Sequence, residues 1–286
     1  MADERFTRET TEWRDLYAKT DVASIVLQER LRRAEGFVER LELTPRTVVA
    51  DVGCGAGLMS VAAAKRGAWV HAIDTVASML DLTREQAETD GVGDRVALTE
   101  ASVESLPLRG ESVDVLIALG LLAWVPSPSA AVKEIARVVR PGAYVIVTSG
   151  NPVRLQSLID PLQNPFLRPI KHTVKHLAGR AGIPLPVSKA VPRHWHSPKQ
   201  LERLLSSAGL AKVDSTTFGF GPFTFFRKKL PERLGMFLHK RLQVAADSGM
   251  PGLSSCGAIH MVLARRGSAT PEETDHLSAP GKELSR

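Results

Sequence analysis

Cysteine is almost missing from this chain. Cys54 and Cys256 are the whole complement of 286 residues; they stand far apart in apolar stretches, and no Cys/His spacing of the zinc-binding kind accompanies them. This excludes a disulfide framework and a structural zinc site, and a reduced, cytoplasmic protein is expected. Clustered carboxylates at metal-ligand spacing are also lacking, so no metal is expected. Long apolar runs are absent: the longest, Val113 to Val125, has 13 residues and includes Asp114 and Gly120, well short of the ~20 that span a bilayer. The opening MADERFTRETTEWRD has no apolar signal region. What the chain does have is 43% apolar residues, enough for a large core in a single α/β domain.

The most informative stretch is Thr47 to Ser60, TVVADVGCGAGLMS. Val48, Val49 and Ala50 read as a buried strand, Gly53-Cys54-Gly55-Ala56-Gly57 as a tight turn, and Leu58 onward as a helix. Three glycines in five residues let the backbone approach a ligand closely, and the helix start offers unpaired N–H groups. Spacing narrows the ligand. A dinucleotide fingerprint needs G-x-G-x-x-G, which places Leu58 or Ser60 where the last glycine belongs, and a P-loop would continue Gly-Lys-Ser/Thr where Leu58-Met59 stand. What remains is an acid, Asp51, two places before G-x-G-x-G. A second acid, Asp74, ends the next apolar run, 21 residues past Gly53, where a carboxylate can hold a ribose diol.

Strand and helix alternate from Thr47 to Asn151: strands at 47–52, 68–74, 95–100, 112–119 and 143–149, helices at 57–66, 76–90 and 129–140. Ser129 is the expected cap of the last helix, and Arg140-Pro141-Gly142 its stop. Alternation of this kind predicts a doubly wound, mostly parallel sheet. Gly53, Asp74, Ser102 and Leu119 all fall at strand carboxyl ends, where such sheets bind ligands. Residues 8–42 read as an N-terminal helical segment capped by Asp21, with Ile25, Leu31, Phe37, Val38 and Leu41 at helical spacing. Ser197-Pro198 opens a further helix ending at Gly209, residues 210–218 and 257–265 read as the last two strands, and a helix is expected near Pro231 to Ala246. The domain is therefore expected to run over 1–266, with a core at 43–150, a cap insertion at 151–196, a C-terminal part at 197–266 carrying an insertion at 219–255, and a disordered polar tail at 267–286.

The stretches DVGCGAG at 51–57, AIDTVASML at 72–80, SLPL at 105–108, VDVLIALG at 113–120 and EIARVVRPG at 134–142 resemble, in order, the motifs of class I S-adenosylmethionine-dependent methyltransferases, most closely the small-molecule branch. The resemblance implies a seven-stranded Rossmann-like sheet, antiparallel at its last strand, and S-adenosyl-L-methionine as cofactor. It assigns cofactor binding to Asp51, Gly53, Cys54, Gly55 and Gly57, to Asp74, Thr75 and Met79, and to Leu119. Adenine would be read by Ser102, where the family usually has an acid or amide, by the N–H of Val103, or by Glu104. It also implies that the N-terminal helix closes over the cofactor, where Trp13 and Tyr17 either face the site or anchor the helix to the core. Glu134 and Arg137 read as an i,i+3 charged pair.

The acceptor side is less defined. The cap is proline-punctuated, holds seven basic residues against Asp160, a charge of +6 that matches the whole chain, and carries His172, His176, His194 and His196, four of the eight histidines. FGFGPFTFF at 218–226 contains five of nine phenylalanines and either walls a pocket or packs as core. Substrate contacts are expected from Trp13, Tyr17, Trp124, Asn151, His172, Phe220 and Phe223, and a general base from His194 or His196. The leading reading is methyl transfer to an O, N or C nucleophile of a small metabolite, acidic with an apolar portion. The alternatives are methylation of a modified tRNA nucleotide, with the cap on phosphates, and a non-catalytic cofactor-binding protein. A cap resting on an anionic membrane is compatible with the first.

Overall fold

The computed structural model describes residues 20–167, 193–226 and 228–267, together with 169, 173 and 176. Trp13, Tyr17, His172 and the tail expected from 268 onward lie outside the described residues. The first element is α1 (Val22–Glu39), opened by Asp21, whose carboxylate accepts from the N–H groups of Ala23 at 2.9 Å and Ser24 at 3.0 Å. Then β1 (Val48–Val52), α2 (Leu58–Lys65), β2 (Trp69–Asp74), α3 (Ala77–Thr89), β3 (Val96–Glu100), β4 (Val113–Ala118), α4 (Pro128–Val138) and β5 (Val139–Gly150) follow. The order continues with α5 (Leu155–Ile159), α6 (Pro198–Ser206), β6 (Leu210–Phe218), a short hairpin β7 (Thr224–Phe225) and β8 (Lys228–Lys229), α7 (Glu232–Asp247) and β9 (Ile259–Arg266).

Seven strands form one sheet in the order β3-β2-β1-β4-β5-β9-β6. The first five are parallel, and β9 runs antiparallel to both β5 and β6. Side chains alternate between the two faces. On one face Ala50, Val52, Leu116, Val145 and Val262 pack with Ile135 of α4 and Leu201 and Leu205 of α6; on the other Val49, Val115, Ile146 and Met261 pack with Val26, Phe37 and Val38 of α1 and Met59 and Ala63 of α2. The expected doubly wound α/β architecture is therefore present, with its crossover between β1 and β4, where ligands bind in such sheets.

Local differences from the sequence reading have physical causes. Ser127 caps α4, not Ser129, because Pro128 has no N–H to lose and takes the first helical position, while the Ser127 hydroxyl accepts from Ala130 N at 3.2 Å. Arg140-Pro141-Gly142 does not end α4: the helix stops at Val138 and β5 begins at once. A register irregularity between Val113 and Val115 absorbs the junction. Glu134 and Arg137 do pair, and they also pin the loop after β3, Glu134 accepting from Leu106 N at 2.9 Å and Arg137 donating to Leu108 O at 3.0 Å.

The insertion between β6 and β9 leaves the sheet at Phe218 and returns opposite it at Ile259. Its helix α7 is fastened back to α1: Arg33 donates to Asp247 at 2.8 Å, and Val22 N donates to Glu232 at 3.0 Å. Where β6 meets β9, His260 lies buried 2.9 Å from Thr217 Oγ1, and burial pushes its pKa down to about 4. A histidine whose folded pKa lies below its unfolded value near 6.5 stabilises the fold fully above that pH, and the stability is lost as pH falls toward 4. The expected loss is up to about 3 kcal/mol. His260→Gln, which keeps a partner for Thr217, should flatten the pH dependence of the unfolding midpoint between 6.5 and 4; an unchanged slope would assign that dependence to other groups.

Candidate cofactor and acceptor site

The glycine turn is built by short-range backbone bonds. The N–H groups of Gly53 and Cys54 both donate to Ile73 O, at 2.7 and 3.1 Å, which seats the turn against the end of β2. Asp74 closes it: its carboxylate accepts from Gly55 N at 2.9 Å and from Val76 N at 3.0 Å. Gly55 and Gly57 both adopt left-handed φ, +56° and +76°, for different reasons. A Cβ on Gly57 would lie 2.5 Å from Thr83 of α3, whereas one on Gly55 would meet nothing within 4 Å. The space beside Gly55 is open, a cradle that a side chain would fill.

Asp51, the last polar residue of β1, is buried, and its Oδ2 accepts from Ser60 Oγ at 2.6 Å. Burial raises its pKa to about 6, with Ser60 opposing the rise and the charge of Asp74 adding to it. Its ionised form therefore costs stability above that pH, and a cation placed beside it relieves the cost. Arg30 supplies part of that relief. This residue of α1 escaped the sequence reading, although its position gave a signal: it stands between Val26 and Ala34, both buried, on one helical stripe. Its guanidinium lies across Gly120, where a Cβ would come within 2.5 Å of Nη1. A buried acid and a cation side by side suit the zwitterionic amino-acid end of a methionine-derived ligand, while Asp74 at the rim suits a ribose diol.

The remaining expected residues divide. Thr75 is exposed beside Asp74, and Leu119 follows β4 directly. Met79 and Val103 have buried side chains. Ser102 is exposed and accepts from Glu104 N at 3.3 Å, while Glu104 itself accepts from Ser127 N at 2.9 Å and so steadies the start of α4. Cys54 is held as a thiol, burial pushing its pKa well up.

Three expectations for the acceptor side need correction. Asn151 is wholly buried, and both amide hydrogens are spent on Ser255 O at 2.8 Å and Gly257 O at 3.0 Å, so it clamps the return of the insertion to β5 and faces no substrate. Phe220 has no exposed surface, and Phe223 almost none. Both pack with Ala246, Leu155, Leu238 and Leu242 as the core of the insertion, so neither walls a pocket. Trp124, His194 and His196, in contrast, are brought together. The segment 193–196 runs between the loop after β4 and the end of β5, His194 N donating to Ala123 O at 3.1 Å and His196 N to Gly150 O at 3.0 Å. Arg193 stacks on Trp124 at 4.4 Å, and His196 Nδ1 lies 3.1 Å from Ser149 Oγ. Among the described residues no group of three His, Cys, Asp or Glu side chains forms a metal site, and no helix is long and apolar enough to cross a membrane.

Gly57→Ala should cost about 2–3 kcal/mol of stability, from left-handed strain plus the clash with Thr83. Gly55→Ala should cost only about 1 kcal/mol yet weaken binding of S-adenosylhomocysteine at least about tenfold in calorimetry, as should Asp74→Ala. Equal destabilisation by the two glycine variants, or unchanged affinity in Asp74→Ala, would contradict this division of roles.

Comparison with known proteins agrees with the geometry. Residues 50–147 match the family model described as a methyltransferase domain. Over 208 residues the chain is 31% identical to a ubiquinone biosynthesis O-methyltransferase of Pseudomonas fluorescens, covering 70% of this chain and 79% of that protein. Several other curated relatives are spanned for about half their length or less; with methyltransferase GfsG of Streptomyces halstedii the identity is 32%, over 41% of this chain and 42% of the relative. Among solved structures, magnesium protoporphyrin IX methyltransferase of Synechocystis with bound S-adenosylhomocysteine superposes with a TM-score of 0.60 at 14% identity, covering 93% of this chain and 98% of that one. The [4+2]-cyclase SpnF superposes with a TM-score of 0.52 at 18% identity, over 82% and 80% of the two chains. The glycine turn, the strand-end acids and these relationships together make this chain a member of the class I S-adenosylmethionine-dependent methyltransferase family.

Proposed function

We propose that this protein methylates a small-molecule acceptor carrying a protic nucleophile, and that His196 removes the proton. The observation that carries the reading is the 193–196 segment, which brings a histidine to the end of β5 and to the loop after β4, the loop whose Leu121 lies against Gly53 of the glycine turn. Its relatives named for ubiquinone biosynthesis support a small acceptor. S-adenosylmethionine, when bound, supplies a methyl group already activated on a sulfonium. What the chain must add is placement of the nucleophile and acceptance of its proton. Asp74 and the amides of the glycine turn hold the ribose side, and Asp51 with Arg30 the amino-acid end.

The ring of His196 is half-buried, and burial, with His194 adding to it, pushes its pKa below the usual histidine value, so it is neutral at pH 7. Ser149 Oγ accepts from His196 N at 3.3 Å and donates its own hydrogen to Gly150 O at 3.4 Å. In that arrangement Nδ1 is the donor to Ser149, and Nε2 is left with the lone pair a base requires. His194 is exposed on the same segment, and no such partner fixes its ring among the described residues.

A fold shared with a cyclase does not by itself decide methyl transfer, so a cofactor-binding protein without transferase activity is the competing reading. Incubation with methyl-labelled cofactor and a cell extract split into RNA, lipid and small-metabolite fractions separates the cases. Label in the small-metabolite or lipid fraction is expected; label confined to RNA, or none anywhere despite cofactor binding, would reject the proposal. His196→Gln should lower kcat about 10²-fold while S-adenosylhomocysteine affinity stays unchanged, and the acid limb of the wild-type pH–rate profile should fall below pH 6.5. A fully active His196→Gln variant would remove this base.

A further inference from the structure

Directly after β5 the chain places Arg154, half-buried at the mouth of the acceptor side. Its guanidinium lies 4.5 Å from the centroid of Trp195, and its Nε donates to Ser157 Oγ at 2.8 Å. Trp195 is itself wedged on the backbone of Gly150, where an added Cβ would come within 3.2 Å of the indole. The guanidinium thus sits over an aromatic ring with its Nε tied to a hydroxyl, and its two Nη groups meet no protein acceptor among the described residues.

Several other partly buried arginines are met by carboxylates: Arg33 by Glu29 and Asp247, Arg140 by Asp114, and Arg266 by Glu111. Among the described residues no carboxylate does this for Arg154. The acid nearest in sequence, Asp160, is turned to Leu162 N, Gln163 and Thr224. The charge that does act on Arg154 is a second cation, Arg193, and together with burial it presses the Arg154 pKa down. Packing the half-buried Arg154 guanidinium against an indole, with no carboxylate beside it among the described residues, costs free energy that a bound anion returns. A planar fork of N–H donors is suited to a carboxylate or a phosphate, which it can grip through two parallel hydrogen bonds.

We propose that Arg154, fixed by Trp195 and Ser157 and assisted by Arg193, reads an anionic group, carboxylate or phosphate, on the methyl acceptor. This rests on the methyltransferase reading above and gives it a substrate class: an acid or phosphate ester. Arg154 orients this acceptor and takes no part in proton transfer.

The test uses the full chain saturated with S-adenosylhomocysteine. Indole emission is followed while inorganic phosphate, pyrophosphate or benzoate is added at constant ionic strength held by sodium chloride. Saturable change is expected in the wild type, with affinity reduced at least about tenfold in Arg154→Gln, partly retained in Arg154→Lys, and unaltered in Arg40→Gln, a surface residue paired with Asp214. Tighter binding of the phosphates assigns the site to phosphate esters, tighter binding of benzoate to carboxylates. Flat titrations with all three probes, or equal responses in wild type and Arg154→Gln, would overturn the proposal. S-adenosylhomocysteine affinity in the same samples separates the two readings. If it is intact while the anion titrations are flat, only the anion site falls; if the wild type does not bind S-adenosylhomocysteine, the underlying methyltransferase reading falls. Retained S-adenosylhomocysteine affinity in Arg154→Gln also shows that the variant is folded.

Discussion

The bond from Gly55 N–H to the Asp74 carboxylate is the constraint on which the rest of the site depends. It joins the turn after β1 to the end of β2, and with the double donation of Gly53 and Cys54 to Ile73 O it sets the shape of the cradle before any ligand arrives. The geometry requires left-handed backbone at Gly55 and Gly57, and the two glycines answer different demands. One leaves room for a ligand, and the other leaves room for Thr83. The carboxylate is already oriented by two amides, which in energetic terms is preorganisation: a ligand hydroxyl proposed to meet it there would require little rearrangement.

Around that rigid half, the acceptor half is assembled from distant pieces. The excursion between β6 and β9 returns to the sheet where it left, so the insertion can fold on its own small core of Phe220, Phe223 and α7 without disturbing the strands. Asn151 locks the return by bridging β5 to the backbone at 255 and 257. α1 is bound to α7 through Arg33 and Asp247, so the helix that carries Arg30 beside Asp51 is also tied to the insertion. A change in the insertion therefore has a mechanical path to the cofactor site through α1.

The sequence reading succeeded where the interactions are local and misread side chains whose neighbours are far off in the chain. The glycine turn, Asp74 and the sheet order follow from patterns a few residues long, repeated in order. Phe220, Phe223 and Asn151 misled because aromatic and amide side chains serve a core as well as they serve a pocket, and only burial separates the two uses. Arg30 was passed over because a helix with many charges hides one that points inward. The cap of α4 falls two residues before the expected Ser129 because Pro128 is itself the first residue of the helix.

By itself, then, the chain's sequence determined the sheet and the glycine turn with the acids beside it, since these are dictated by short-range backbone geometry. Only the tertiary structure decided the acceptor half. Ser149 and His196 stand 47 residues apart, and Arg154 and Trp195 are separated by most of the cap; none of these pairs shares a local pattern. They meet because the order of strands sets β4 beside β5 and the 193–196 segment hydrogen-bonds to the loop after β4 and to the end of β5, and no spacing along the chain encodes that convergence.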